Sequence, residues 1–227
     1  MLRQLTIRRQ LIAAPLIFLT VNVVADEKPS AGEKKKPAKT GQAIFDGKTL
    51  KNWRIIKKID FEKHGKVTVD AKSKSVVLEK GSPATGISWT GKMPRSQYEV
   101  SLETKRVAGS DFFCGMTFPV GKEYCSLIIG GWGGGVTGLS NIDGQAAIEN
   151  ETTDYIEFKD NQWYRVRLRV TDKKIEAWVD KKQIVDVDRK DRKFSIWWEQ
   201  EPVRPFGVAT WYTKAAVRDI RLRKLNP

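Results

Sequence analysis

Between positions 163 and 180 the chain reads WYRVRLRVTDKKIEAWVD. Tyr164, Val166, Leu168 and Val170 alternate with Arg165, Arg167 and Arg169, and only an extended strand turns a period of two into one apolar and one wet face. Asp172, Lys173 and Lys174 supply a polar turn, and Ile175, Ala177 and Val179 carry the alternation back. The same period recurs from residue 42 onward. In QYEVSLETKRV (97–107) Tyr98, Val100 and Leu102 share one face, while Glu99, Ser101 and Glu103 share the other. KVTVD (66–70) and SVVLE (75–79) read as a hairpin around AKSK, and VRDIRLRKL (217–225) closes the chain as a strand. No segment carries the 3.6-residue apolar stripe of a helix. About ten or more short strands with frequent turns predict an all-β domain, a two-sheet antiparallel sandwich or jelly roll.

GGGVTG at 133–138 matches G-x-G-x-x-G through Gly133, Gly135 and Gly138. A dinucleotide loop requires a strand before the motif and a helix at its last glycine, whose N-terminus holds the pyrophosphate. YCSLII (124–129) suits the strand. LSNIDGQAAIEN, with Asn141, Asp143 and Gly144 in its first turns, does not suit the helix. The glycines instead leave Trp132 as one large side chain on a bare backbone that another surface can approach closely. Trp132 is then either a stacking platform for the apolar face of a sugar or a corner residue that plugs the core.

Residues 1–25 join Arg3, Arg8 and Arg9 to the apolar run LIAAPLIFLTVNVV, with Val23 and Ala25 at the −3 and −1 positions of a cleavage site. That is the pattern of a signal peptide. The run is short for a bilayer span and no second one follows, so the mature chain is expected to lack a transmembrane segment and to be exported, to a periplasm or beyond. DEKPSAGEKKKPAKTG (26–41) reads as a disordered Lys/Pro-rich tether, and 42–227 as a single domain. The net charge of +14 suits either a solvated basic exterior or a carboxylated or sulfated glycan as partner; export argues against nucleic acid. Cys114 and Cys125 could pair across a hairpin or stay as two buried thiols. His64 is the single histidine, so no Cys/His metal cluster can be assembled.

AIFDGKTLKNWRI (43–55) resembles the opening of the 3-keto-disaccharide hydrolase domain family. Its hallmark, Phe-Asp-Gly-Lys-x-Leu-x-x-Trp, is matched by Phe45, Asp46, Gly47, Lys48, Leu50 and Trp53. YEVSLETKRVAGSDFFCGMTFP, NQWYRVRLRVTDKKIEAWVDKKQIVD and RPFGVATWYTKAAVRDIRLRKL resemble later parts of the family plan, in order, so the likeness spans 43–225. It implies a concanavalin-A-like or laminin-G-like jelly roll, a carbohydrate partner, and cleavage of glycosides oxidised to a ketone at C3. The family's Asn-Ser-Gly stretch, Glu-x-Gln pattern and His-Gly pair are replaced here by DFFCGMTFP, EYCSLIIGG and TWYT. No family catalytic residue is therefore carried over.

Such cleavage needs a base for the C2 proton that the ketone acidifies, a stabiliser for the enolate, and departure of the C1 substituent. The candidate catalytic carboxylates are Asp143 in NIDG, and Glu149 and Glu151 in IENETTDY. On a strand the two glutamates would share a face, Asn150 would lie opposite, and their repulsion would raise both pKa values. The same trio also suits a calcium site or a solvated edge; no cofactor is evident, and a divalent metal such as calcium stays open. The candidate substrate-binding residues are Trp132, Asn150, Trp211, and Trp198 with Glu199 from FSIWWEQEPVRPF, where one of Trp197 and Trp198 should face outward. Trp53, Trp163 and Trp178 are assigned to structure. Three readings follow: a glycoside-cleaving hydrolase, a non-catalytic carbohydrate-binding module on the same jelly roll, or a cell-surface structural domain on the tether.

Overall fold

The structure is a computed structural model in which residues 41–226 are described. The signal peptide assigned to 1–25, and the tether assigned to 26–41 apart from Gly41, lie outside the described residues. The strands are β1 (Gln42–Ala43), β2 (Trp53–Ile55), β3 (Val67–Asp70), β4 (Ser75–Leu78), β5 (Ala84–Trp89), β6 (Tyr98–Ala108), β7 (Cys114–Val120), β8 (Glu123–Gly131), β9 (Val136–Ser140), β10 (Asp154–Tyr155), β11 (Tyr164–Val170), β12 (Lys174–Val179), β13 (Lys182–Asp188), β14 (Gly207–Trp211) and β15 (Lys214–Lys224). They form two antiparallel sheets. One runs β13-β12-β11-β6-β15-β4-β3 with β1 also on β15, and the other runs β10-β9-β8-β7-β14-β5-β2. Among the described residues the only helical pieces are two 3-10 turns, Ile59–Phe61 and Trp198–Val203. This is the jelly-roll sandwich that the alternation predicts.

The first sheet obeys the alternation closely. Tyr164, Val166, Leu168 and Val170 are buried in the core with Tyr98, Val100 and Leu102, and β11 pairs with β6 so that Arg165 faces Glu103 and Arg169 faces Glu99. On the outer face Glu99 is buried under Arg167, Arg169 and Arg223. The Arg167 guanidinium lies 3.7 Å from the ring centre of Trp178, and that of Arg218 lies 4.0 Å from Trp163. These two tryptophans give the arginine stems and guanidinium planes an apolar surface to cover.

In the second sheet β7 is buried along its whole length and β8 along most of it. Cys114, Met116, Phe118, Cys125, Leu127 and Ile129 belong to the core between the sheets. The cysteines are both free. The register pairs Cys114 with Ile129 and Phe118 with Cys125, so the hairpin sets the thiols at opposite ends and not side by side. Burial pushes the Cys114 thiol up to about 12 and the Cys125 thiol higher still, which keeps both protonated and unreactive.

The hallmark stretch builds a corner. Asp46 Oδ1 accepts the N–H of Lys48 at 2.8 Å and of Thr49 at 2.7 Å, and its Oδ2 accepts the Thr49 hydroxyl at 2.7 Å. Gly47 takes φ +74° within that turn. Phe45 and Trp53 then drop into the core, and Trp53 Nε1 donates to the Ile44 carbonyl at 2.9 Å.

Candidate functional site

The outward face of the second sheet is not left to solvent. Pro202 and Pro205 break the segment after Phe194, and it folds across the sheet as the 3-10 turn Trp198–Val203. Gln200, within the turn, is buried and accepts a hydrogen bond from Thr117 Oγ1 at 3.4 Å, while Thr117 and Ser126 hydroxyls meet at 2.9 Å. Ser88 Oγ donates to the Arg204 carbonyl at 3.0 Å and so fixes the end of the turn. A small second apolar cluster, Ile56, Phe61, Ala84, Val203 and Ala209, supports Phe112 and Trp211 on this face.

A cavity of about 230 Å³ opens between the turn and the sheet. Trp132, Trp197 and Trp211 bring three indoles to it, and Phe112 stacks on Trp211 with ring centres 6.1 Å apart. Gly115 permits this wall, because a Cβ there would come within 2.8 Å of the Phe112 ring. Ser126 and Gln200 supply polar groups, and two carboxylates, Asp111 and Glu199, complete the lining. Apolar walls with a few convergent polar groups are what a small-molecule site requires.

Both carboxylates are unusual. Burial pushes the Asp111 carboxyl above the usual range, against the opposing effect of the Phe112 and Trp132 backbone N–H groups that it accepts; the Phe112 bond is 2.6 Å. Asp111 is itself anchored by Thr213, a fully buried residue whose hydroxyl bonds both its N–H and its carbonyl. Glu199 Oε2 is buried and has no hydrogen-bond partner, although a buried carboxylate oxygen is costly to leave unpaired.

Trp132 reaches the cavity from the β8–β9 hairpin. The Gly134 N–H donates to the Gly131 carbonyl at 3.2 Å, and Arg106 clamps the same turn, donating to the Gly134 carbonyl at 3.0 Å, to the Phe158 carbonyl at 2.7 Å and to Asp160 at 2.6 Å. Trp132 is 40 % exposed, so it is a cavity wall and not a core plug. The glycine motif thus makes a hairpin with no helix after it.

The sequence-predicted residues divide. Trp132, Glu199 and Trp211 meet in the cavity. Trp198 does not line it; the segment is a 3-10 turn and not a strand, Trp197 lines the cavity in its place, and Trp198 is 57 % exposed. Asp143, Glu149 and Glu151 are also elsewhere, and the shared strand face expected for the glutamates is absent because 143–153 is a series of turns. Asp143 and Glu151 both bind Arg192. Hydrogen bonds from the Lys193 N–H and Arg192 lower the Asp143 pKa, the opposite of what a base needs. Glu149 accepts the Ala146 N–H at 3.1 Å. Asn150 is buried scaffold: its amide reaches the carbonyls of Leu139, Gln145 and Ala146, and its Oδ1 accepts from Thr152. Asp111 was missed by sequence reasoning. Its one signal is an acid set directly before Phe112 and Phe113 in AGSDFF. Among the described residues, no three His, Cys, Asp or Glu side chains are grouped to hold a metal ion.

The Crh5 transglycosylase, solved in complex with NAG, is similar in fold (TM-score 0.55, 11 % identity, 82 % of this chain and 85 % of that one). A protein with a galectin-like fold from Bacillus subtilis (0.52, 12 %, 77 % and 90 %) and a beta-1,3-glucanase from Mycobacterium marinum (0.51, 11 %, 81 % and 100 %) are similar as well. At such identities the likeness is one of fold. No curated protein matches the sequence. The family model of the 3-keto-alpha-glucoside-1,2-lyase-like domain matches residues 40–223, and the chain belongs to that family.

Proposed function

We propose that the protein binds the 3-keto-glucosyl ring of a glycoside in the Trp132–Trp197–Trp211 cavity and cleaves it by elimination, with Asp111 as the base. The observation that carries this reading is the Asp111 carboxyl, held above its usual pKa at the wall of an indole-lined cavity. A carboxylate of raised pKa is a stronger base for a carbon acid. Asp111 takes the C2 proton, and the C2–H electron pair passes into the C3 carbonyl to form the enolate. The pair then returns to form the C1–C2 double bond and expels the C1 oxygen, which takes a proton from water. The Asp111 proton returns to solvent. Glu199, at the cavity wall, accepts a sugar hydroxyl and orients the ring. The indoles cover the apolar ring faces. Trp132, Glu199 and Trp211 keep the binding role expected of them; Asp111 takes the catalytic role that Glu149, Glu151 and Asp143 were expected to fill. Export, directed by residues 1–25, belongs to the same proposal.

The test is incubation of the purified protein with a 3-keto-glucoside and its unoxidised parent, with and without added divalent metal, following the released aglycone by chromatography. Release from the ketone only, abolished in Asp111→Asn, is the expected result. Thermal stabilisation by either sugar without release would make this a carbohydrate-binding module.

A further inference from the structure

The cavity stops at Trp211, but the aromatic surface does not. Trp211 meets Tyr212 edge to face with ring centres 6.0 Å apart. Tyr212 is 46 % exposed, and Lys80 Nζ stands 5.9 Å from its ring centre. Among the described residues Lys80 makes no ion pair, whereas the neighbouring Glu79 is held by Lys214 at 2.7 Å.

Tyr212 has φ +45°, as does Trp132. This left-handed region suits glycine and asparagine and costs other residues on the order of 1 kcal/mol or more. A half-exposed ring recovers little of that cost by burial, so packing alone does not account for an aromatic residue at either place. Trp132 is a wall of the cavity. Tyr212 is held in the same strained state by its N–H bond to the Pro83 carbonyl at 2.7 Å, and its ring meets the Trp211 side of the Phe112–Trp211 stack.

The cavity volume decides what that ring is for. At about 230 Å³ it falls below the roughly 300 Å³ at which drug-sized sites begin, so it houses one sugar ring. A second ring then lies outside it, and Tyr212 adjoins the cavity wall through its edge-to-face contact with Trp211. We propose that the substrate is an oligosaccharide whose second ring packs against Tyr212 and carries a carboxylate or sulfate that Lys80 meets. This rests on the cavity reading above and adds the class of glycan to it.

The experiment is a titration of the full chain, carrying Asp111→Asn so that the sugars stay uncleaved, by calorimetry or NMR, with methyl 3-keto-glucoside, a neutral disaccharide whose first ring is 3-keto-glucose, and the same disaccharide with glucuronate as its second ring. Affinity should rise from the first to the second, and by about tenfold more for the glucuronate at low salt. Lys80→Gln should lose the glucuronate gain. Tyr212→Asn relaxes the backbone and so keeps the fold, and it should lose the gain from the second ring. Equal affinity for all three sugars, or a Tyr212→Asn protein that binds both disaccharides as its Asp111→Asn parent does, overturns the second subsite alone. Failure to bind any of them, methyl 3-keto-glucoside included, overturns the cavity reading with it.

Discussion

Thr213 holds Asp111 by both of its main-chain groups: the hydroxyl accepts the Asp111 N–H at 3.1 Å and donates to the Asp111 carbonyl at 3.1 Å. One hydroxyl can do both because it carries one proton and two lone pairs. It thereby ties the end of β14 to the loop before β7, where the candidate base sits. Thr213→Val keeps the shape and removes both bonds. Loss of about 1–3 kcal/mol in denaturant unfolding is expected, together with a fall in kcat larger than any rise in KM, because the base is misplaced and not the sugar. Thr213→Ser should restore both. A variant that loses stability with kcat intact would reduce Thr213 to scaffold.

The raised pKa of Asp111 makes two linked predictions. Its cause is burial, so the carboxyl binds its proton more tightly in the folded protein than in the unfolded chain. Between the unfolded value, about 4, and the higher folded one, the native state holds more protons, and stability falls as pH rises through that window. Asp111→Asn removes this effect. It should melt at a higher temperature than wild type at pH 7, with the gap closing toward acid pH, while turnover of a 3-keto-glucoside falls by about a hundredfold or more. In the wild type, kcat/KM should rise with pH through a midpoint above the ordinary carboxylate range. A midpoint at or below about 4 would place the base elsewhere.

The strands were legible because burial on one face imposes a period of two on neighbouring residues, as in Tyr164–Val170, and that signal needs nothing from distant sequence. The site was legible only in part. Trp132 stood out from its glycines, and Glu199 and Trp211 from their aromatic company. Asp111 and Glu199 belong to segments far apart in the chain, brought together only when Trp198–Val203 folds over β7 and β8, and no local pattern records that. The glutamates misled for a local reason. Their two-residue spacing implies a shared face only on a strand, and Asn150 between them gathers three carbonyls that wind the segment into turns.

That difference gives a direct comparison. The double variant Glu149→Gln, Glu151→Gln changes two side chains that do not line the cavity, and it takes from Arg192 one of its two carboxylate partners. Turnover of the 3-keto-glucoside is expected to stay within about threefold of wild type, since exposed ion pairs contribute little to the fold. Abolished turnover with an unchanged melting profile would return the catalytic role to this loop and remove it from Asp111.

The hallmark stretch makes a prediction of stability without catalysis. Asp46 is a fully exposed acid whose pKa is lowered to about 2 by hydrogen bonds from the Thr49 N–H, the Thr49 hydroxyl and the Lys48 N–H. Those donors favour the charged form and hold the corner from which Phe45 and Trp53 enter the core. The folded value lies below the unfolded one, so the stabilisation is present above about pH 4 and is lost as pH falls toward 2. Asp46→Ala should therefore melt below wild type at pH 7, with the two melting curves converging as pH is lowered through that window. Turnover of a 3-keto-glucoside by the folded variant should be unaltered, because Asp46 does not line the cavity. A melting difference that stays constant down to pH 2 would mean that the corner depends on the side chain's shape and not on its charge.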